Sequence, residues 1–137
     1  SGYIPESYIK DPTDKMEIYK KIASIRTEEE LDAVLGELSD RFGPLPDQVM
    51  SLISISEIRI ICRKLSISAV REKEGLVSVE FARVSAISVD KVLRLINESG
   101  GTVRLDPRRP YVLIMKTGNI GLTEKSEFIR ERLSRLV

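Results

Sequence analysis

The sequence predicts an α+β fold: an N-terminal helical segment of about three helices, then an antiparallel sheet of about four strands with two further helices. Apolar residues recur at helical spacing up to about residue 65. Beyond residue 66 they alternate with polar residues, which is typical of strands with one buried face. The strand-like segments come in pairs joined by short polar turns, which favours hairpins and therefore antiparallel pairing.

The chain begins with a segment predicted to be extended. Residues 3–12 (YIPESYIKDP) carry two prolines and two Tyr/Ile pairs, and we expect this arm to lay its aromatic rings on the body of the domain. Asp14 is predicted to cap a first helix over residues 15–25. Its apolar positions at helical spacing are Met16, Tyr19, Ile22 and Ala23.

The second helix has the clearest signals. Thr27 followed by Glu30 is a capping box, and Gly43 with Pro44 marks the end. The inward stripe is Leu31, Val34, Leu35, Leu38 and Phe42. At about 100° per residue, the opposite face is acidic. It carries Glu29, Glu30, Glu37 and Asp40.

A third helix is predicted over residues 46–65, opened by Pro46 and Asp47 and apolar around most of its circumference, as in a central helix. Strands follow at 67–70 and 76–81 with a turn at 71–75, then a helix capped by Ser88, a hairpin of 102–105 with 111–115, and a last helix over 123–136. We expect one domain, 1–137, with an arm (1–12), a helical part (13–65) and a ββα-ββα part (66–137).

Composition removes several kinds of function. The chain has no histidine and a single cysteine, so the commonest general base, the commonest metal ligand and a disulfide framework are missing. No nucleophile stands beside an evident base, and no G-x-x-x-x-G-K-[ST] loop occurs. We expect no catalytic residue, no metal and no cofactor in this domain, and we expect Cys62 in the core. The longest apolar runs are too short for a membrane span.

The acidic end of the second helix is the best candidate site. Glu37 and Asp40 lie in its last turns, where carboxylates oppose the helix dipole at a cost of about 0.3–1 kcal/mol each. Arg41, four residues after Glu37, offsets part of this. A face kept at such a cost suits arginines of a partner, since carboxylates accept guanidinium groups in bidentate pairs. The candidate partner-binding residues are Glu30, Glu37, Asp40 and Arg41, and the alternative is a solvated acidic face.

The basic C-terminal third suggests a different class of function, a nucleic-acid-binding module. Acids are interleaved with its helical cations and aromatic residues are scarce, which favours a solvated face. The cations are Arg104, Arg108, Arg109, Lys116, Lys125, Arg130, Arg132 and Arg135. A small enzyme is the third possibility, which the missing histidine argues against.

Four stretches carry a family resemblance: "YIPESYI", "KMEIYKKIA", "ELSDRFGPLPDQV" and "LSI" before the first strand. In this order they resemble the C-terminal domain of the bacterial transcription-repair coupling factors (Mfd). The chain opens with Ser-Gly rather than Met, which suggests either a tag scar or a fragment of a longer protein. The strands and the last helix match the family only in pattern.

The resemblance implies a regulatory domain of an ATP-driven translocase of double-stranded DNA that displaces stalled RNA polymerase and recruits UvrA. ATP and Mg belong to motor domains upstream. The C-terminal domain is not catalytic: it packs on the parent's UvrA-binding module, masks it and restrains the motor. Carried onto this sequence, Glu37 and Asp40 face arginines of that module. A cytoplasmic location, no membrane contact and a monomeric fragment are expected.

Overall fold

The fold comes from a computed structural model, which describes residues 2–137 apart from the side chains of residues 122 and 123. It confirms the predicted α+β class. The helices are α1 (Pro12–Ala23), α2 (Glu28–Phe42), α3 (Asp47–Lys64), α4 (Val89–Glu98) and α5 (Leu122–Ser134), and the strands are β1 (Ile67–Lys73), β2 (Leu76–Phe81), β3 (Val103–Leu105) and β4 (Val112–Lys116). A single 3₁₀ turn at Val84–Ala86, which the sequence did not predict, precedes α4.

Helix α1 starts earlier than predicted. Asp11, not Asp14, is its N-cap, and the Asp11 carboxylate accepts hydrogen bonds from the backbone N–H groups of Thr13 and Asp14. The reason is Pro12, whose fixed φ suits the first helical position. The arm before it bends in a turn at residues 6–8. The sequence predicts that the arm lays its aromatic rings on the body of the domain, and only one of its two tyrosines clearly does so. Tyr8 hydrogen-bonds to the body, whereas Tyr3 is 52% exposed.

Helix α2 has the predicted bounds because its signals are local. The Thr27 hydroxyl accepts a hydrogen bond from the backbone N–H of Glu30, as the capping box requires. Gly43 ends the helix with φ +87°, a value that L-residues rarely adopt. Of the predicted stripe, Leu31, Val34 and Leu38 are buried, and Leu35 and Phe42 pack half-buried against them.

Helix α3 also matches its prediction, but its buried side is less apolar than expected. Ser51, Ser54 and Ser56 are buried on it, and Met50 is 46% exposed. The Ser51 hydroxyl lies 3.0 Å from the Ser126 hydroxyl, so this buried oxygen has a hydrogen-bond partner. Cys62, expected in the core, is only half-buried.

The four strands form one antiparallel sheet in the order β1-β2-β4-β3. The first hairpin is tighter than predicted. Strand β1 continues to Lys73, which pairs with Leu76 across a two-residue turn, and Glu74 and Gly75 there both have positive φ. Such primed turns match the twist of paired strands, so the charged residues 71–73 belong to the strand rather than to a loop.

The chain divides into two compact units. The first holds the described residues up to Ile60 together with Leu122–Arg130, and the second holds Ile61–Gly121 with Glu131–Val137. The first unit's core is built from the arm, α1, α2 and α3 as far as Ile60, with Ile18 and Leu38 fully buried. In the second unit the inward residues of the sheet, Val77, Val79, Leu113 and Met115, are fully buried.

Candidate functional site: the acidic face of helix α2

Glu37 is held by two cations of its own domain. Lys21 on α1 donates hydrogen bonds to both carboxylate oxygens, at 2.8 and 3.0 Å. Arg41, one turn along α2, donates from Nη1 to Oε2 at 2.7 Å. The Glu37 side chain is only 26% exposed. This acid therefore ties α2 to α1.

The contacts extend into a five-residue ion-pair cluster on α1 and α2. Lys21 also contacts Glu17, with its Nζ 3.3 Å from Oε1, and Arg41 also contacts Asp14, with its Nη2 3.5 Å from Oδ1. In this ion-pair cluster three acids (Asp14, Glu17, Glu37) share two cations (Lys21, Arg41). The cluster gives Glu37 a reason to lie at the unfavourable end of its helix without any partner protein. The sequence interpretation missed Lys21, although its spacing of four from Glu17 was a usable signal.

Asp40 is different. It is exposed, and among residues 2–137 as described it makes no hydrogen bond or ion pair. Glu30 is exposed as well, and its carboxylate accepts a hydrogen bond from the Thr27 hydroxyl at the start of the helix. The structure thus separates the two acids that the sequence grouped together, since Glu37 is paired internally and Asp40 is open to a partner.

The corner after α2 is shaped by aromatic contacts. The Arg41 guanidinium lies 4.8 Å from the centre of the Phe42 ring, a cation–π contact, and that ring lies 5.8 Å from the ring of Tyr8. The Tyr8 hydroxyl donates to the carbonyl oxygens of Gly43 at 2.8 Å and Leu38 at 3.2 Å. The Gly43 carbonyl lies beyond the last carbonyl that accepts a helical hydrogen bond, so the arm supplies it with a donor. This contact fixes the turn that follows Asp40.

A groove of about 810 Å³ runs between α1 and α2 beside these acids. Met16, Ile25 and Val34 supply its apolar lining, and Met16 is 67% exposed. Glu17, Glu30 and Glu37 line it as well, so Glu30 and Glu37 face the same groove from two turns of α2.

Protonation of Glu37 gives a test of the ion-pair cluster. The hydrogen bonds from Lys21, then from Arg41, hold the pKa of Glu37 below its ordinary value. We expect the Glu37 carboxyl carbon to titrate by NMR below the ~4.3 of a peptide glutamate. Since the folded-state pKa is the lower one, the cluster stabilises the fold above the unfolded-state pKa and is lost as pH falls through the folded value.

A Lys21→Gln variant provides the comparison, because it removes the larger cause of the shift. Its Glu37 midpoint should rise toward the peptide value. A wild-type midpoint at or above about 4.3 would contradict the hydrogen-bonded geometry.

The structure also shows which cations of the predicted basic patch have acidic partners. The helical cations are paired: Arg130 with Glu127 and Glu57, Arg132 with Glu131, and Arg135 with Glu98. Arg109 pairs with Asp106 in the second hairpin. Arg104 on β3 and Lys116 on β4 remain exposed on the sheet. Four of the eight predicted cations, Arg109, Arg130, Arg132 and Arg135, are thus ion-paired within the chain.

The described part of the chain offers neither a cluster of metal ligands nor a membrane-spanning helix. No group of three or more potential ligands among His, Cys, Asp and Glu occurs in the part of the chain that the structure describes. Burial raises the pKa of the half-buried Cys62 thiol. Within the same described residues, no helix is both long and apolar enough to span a membrane.

The family model and the most similar relatives described below point to the same protein family. The model of the TRCF domain matches residues 1–92. The transcription-repair-coupling factor of Borreliella burgdorferi is 32% identical over 136 residues, which is 99% of this chain and 12% of that protein. The Escherichia coli K12 factor is 34% identical over 103 residues, which is 75% of this chain and 9% of that protein. The chain thus spans about an eighth or less of the length of these relatives.

A solved structure shows the same fold. The crystal structure of the C-terminal domain of a transcription-repair coupling factor superposes with a TM-score of 0.74 at 24% identity, covering 97% of this chain and 86% of that one.

Proposed function

Because this chain belongs to the TRCF domain family, as its family-model match shows, we propose that it is the non-catalytic docking domain of a transcription-repair coupling factor. The parent would be an ATP-driven translocase of double-stranded DNA, with ATP and Mg bound in other domains. Its partners would be RNA polymerase and UvrA. In the resting parent this domain would cover the UvrA-binding module through the acidic face of α2 and restrain the motor until RNA polymerase is engaged.

The observation that carries this proposal is the state of Asp40. It is an exposed carboxylate in the last turn of a helix, opposed by the dipole and without an internal partner among the described residues. The ion-pair cluster accounts for the position of Glu37, whereas no cation among the described residues pairs with Asp40 to offset its cost. An arginine on a partner would do so, through a bidentate pair that fixes orientation as well as charge.

The other proposed site residues support this contact in different ways. Glu37 adds negative potential, but a partner must share it with Lys21 and Arg41. Arg41 is a positioning residue, because it holds Glu37 and stacks on Phe42 just after Asp40. Glu30 places a further carboxylate at the groove, which would accept an apolar side chain next to the partner's arginines.

The test is a calorimetric titration of this chain with the isolated UvrA-binding module of its parent. Severing a tether removes the high effective concentration, so the titration needs high protein concentration and low salt. We expect Asp40→Arg to weaken binding by tenfold or more, because like charges then meet where a pair was formed. Asp40 is exposed, so the fold should survive, which circular dichroism would check.

Asp32→Arg is the matched control. It makes the same change of charge on the same helix, at an exposed position about 80° around the helix from Asp40. We expect it to retain most of the binding. Unchanged affinity of the Asp40→Arg variant would show that Asp40 is an ordinary solvated residue and not part of the interface. Equal losses of affinity in both variants would show that only the net charge of the domain matters, not a specific contact.

A further inference from the structure

The outer face of the sheet brings together basic residues that are far apart in the sequence. Val77, Val79 and Phe81 on β2 are buried, so the alternate residues Leu76, Ser78 and Glu80 point to the other side. The strand register extends this face across the sheet. One row is Arg71, Ser78, Ile114 and Arg104, and the next is Lys73, Leu76 and Lys116.

Each row therefore ends in a cation on both sides. Arg71 and Lys73 form one column on β1, and Arg104 and Lys116 form the other on β3 and β4. We name these four residues the cationic sheet face. All four are exposed, whereas Ser78 and Ile114 between them are half-buried.

Little within the domain neutralises these charges. Glu80 lies on the same face and contacts Arg71 at 3.5 Å, but the Arg71 side chain is still 71% exposed. Lys73, Arg104 and Lys116 have no ion pair among the residues that the structure describes. The pairing of the α5 cations does not extend to the sheet.

We propose that the cationic sheet face binds the phosphate backbone of double-stranded DNA without reading its sequence. Neighbouring strands lie ~4.8 Å apart, so the two columns are ~10–15 Å apart in the sheet. This distance is comparable with the ~12 Å width of the major groove, so long basic side chains can reach phosphates on both of its sides. Arg71 and Lys73, two residues apart on one strand, are ~6.6 Å apart.

The chemistry of the face favours a duplex over other anionic partners. Its central side chains are Leu76, Ser78 and Ile114, none of them aromatic, so it lacks the stacking platform that single strands use. A protein partner draws its affinity from anchors buried in a central pocket, whereas the side chains in the middle of this face, Leu76, Ser78 and Ile114, line none of the pockets described for this chain. Duplex backbone binding needs only cations at suitable spacing.

The test is fluorescence anisotropy of a labelled random-sequence duplex with the whole chain, over a range of salt. If four phosphates are contacted, log K should fall with log[salt] with a slope of about −3.6. The triple variant Lys73→Gln, Arg104→Gln and Lys116→Gln should bring the slope to about −0.9.

A matched control removes two lysines and one arginine elsewhere. Lys10→Gln, Lys20→Gln and Arg94→Gln changes three exposed cations outside the sheet and should keep most of the slope. Glu80→Gln should tighten binding, because it removes the carboxylate from the face and releases Arg71. Circular dichroism of each variant would check that the fold is intact.

Absence of salt-dependent binding at low salt, or equal losses in the two triple variants, would overturn the proposal. So would displacement of the duplex by polyglutamate at equal charge concentration, which would assign the face to acidic polypeptides. The proposal is independent of the α2 docking surface, since Asp40→Arg should leave DNA binding no weaker.

Discussion

Replacing Leu38 by alanine is expected to lower the free energy of unfolding by about 2–5 kcal/mol, the usual cost of emptying a fully buried leucine site. Leu38 is 0% exposed and belongs to the core formed by the arm, α1, α2 and α3 as far as Ile60. It lies between Glu37 and Asp40 in sequence, so the helix that presents both acids is anchored by this side chain. Urea unfolding followed by circular dichroism measures the loss.

Leu35→Ala is the control for this prediction. It deletes the same atoms from the same helix, but Leu35 is only half-buried against the core. Its cost should be clearly smaller, since less apolar surface returns to water and the site can collapse more easily. Equal losses from the two variants would show that the core does not centre on Leu38.

Replacing Gly43 by alanine is expected to cost about 1–3 kcal/mol, the range for a residue held in a sparsely populated backbone conformation. Gly43 has φ +87° and ψ −166°, a region open to glycine and strained for L-residues. Apart from Gly43 itself and its two chain neighbours, no atom lies within 4 Å of where the new Cβ would stand, so the cost is backbone strain rather than a clash with the rest of the protein. Thermal unfolding would register it as a lower midpoint.

Gly36 offers the opposite case on the same helix. It lies inside α2, its added Cβ also meets no atom within 4 Å, and its φ is not positive. Gly36→Ala should therefore stabilise the protein by about 0.5–1 kcal/mol, because alanine loses less backbone entropy in a helix. The same chemical change should have opposite signs seven residues apart. Two changes of the same sign would refute the assignment of strain at Gly43.

The parts of the fold that could be predicted rest on neighbours in sequence. The capping box at Thr27, the stop at Gly43 and the Ser88 cap of α4 are each formed by residues a few positions apart. Hydrophobic periodicity is equally local, and it predicted the three N-terminal helices and the antiparallel sheet correctly. The resemblance to the coupling-factor family is confirmed by the TRCF match to residues 1–92.

The errors arose where two local signals compete. Asp11 and Asp14 are both plausible caps, and Pro12 decides between them by its fixed φ. The charged run 71–75 has the composition of a loop, but a turn of positive φ at Glu74 and Gly75 lets the strand keep Arg71 and Lys73. Composition describes solvent exposure, which an exposed strand face shares with a loop.

By itself the sequence determined the α+β class, the bounds of α2 and the placement of acids on its outer face. The tertiary structure alone decided which of those acids is paired among the residues that the structure describes. The Glu37 carboxylate meets Lys21, sixteen residues away, while Asp40 is left open, and strand register places Arg71 and Lys73 on one face with Arg104 and Lys116. The physical reason is range: caps and periodicity act within a few residues, whereas ion pairs and strand pairing join residues that meet only after the chain has folded.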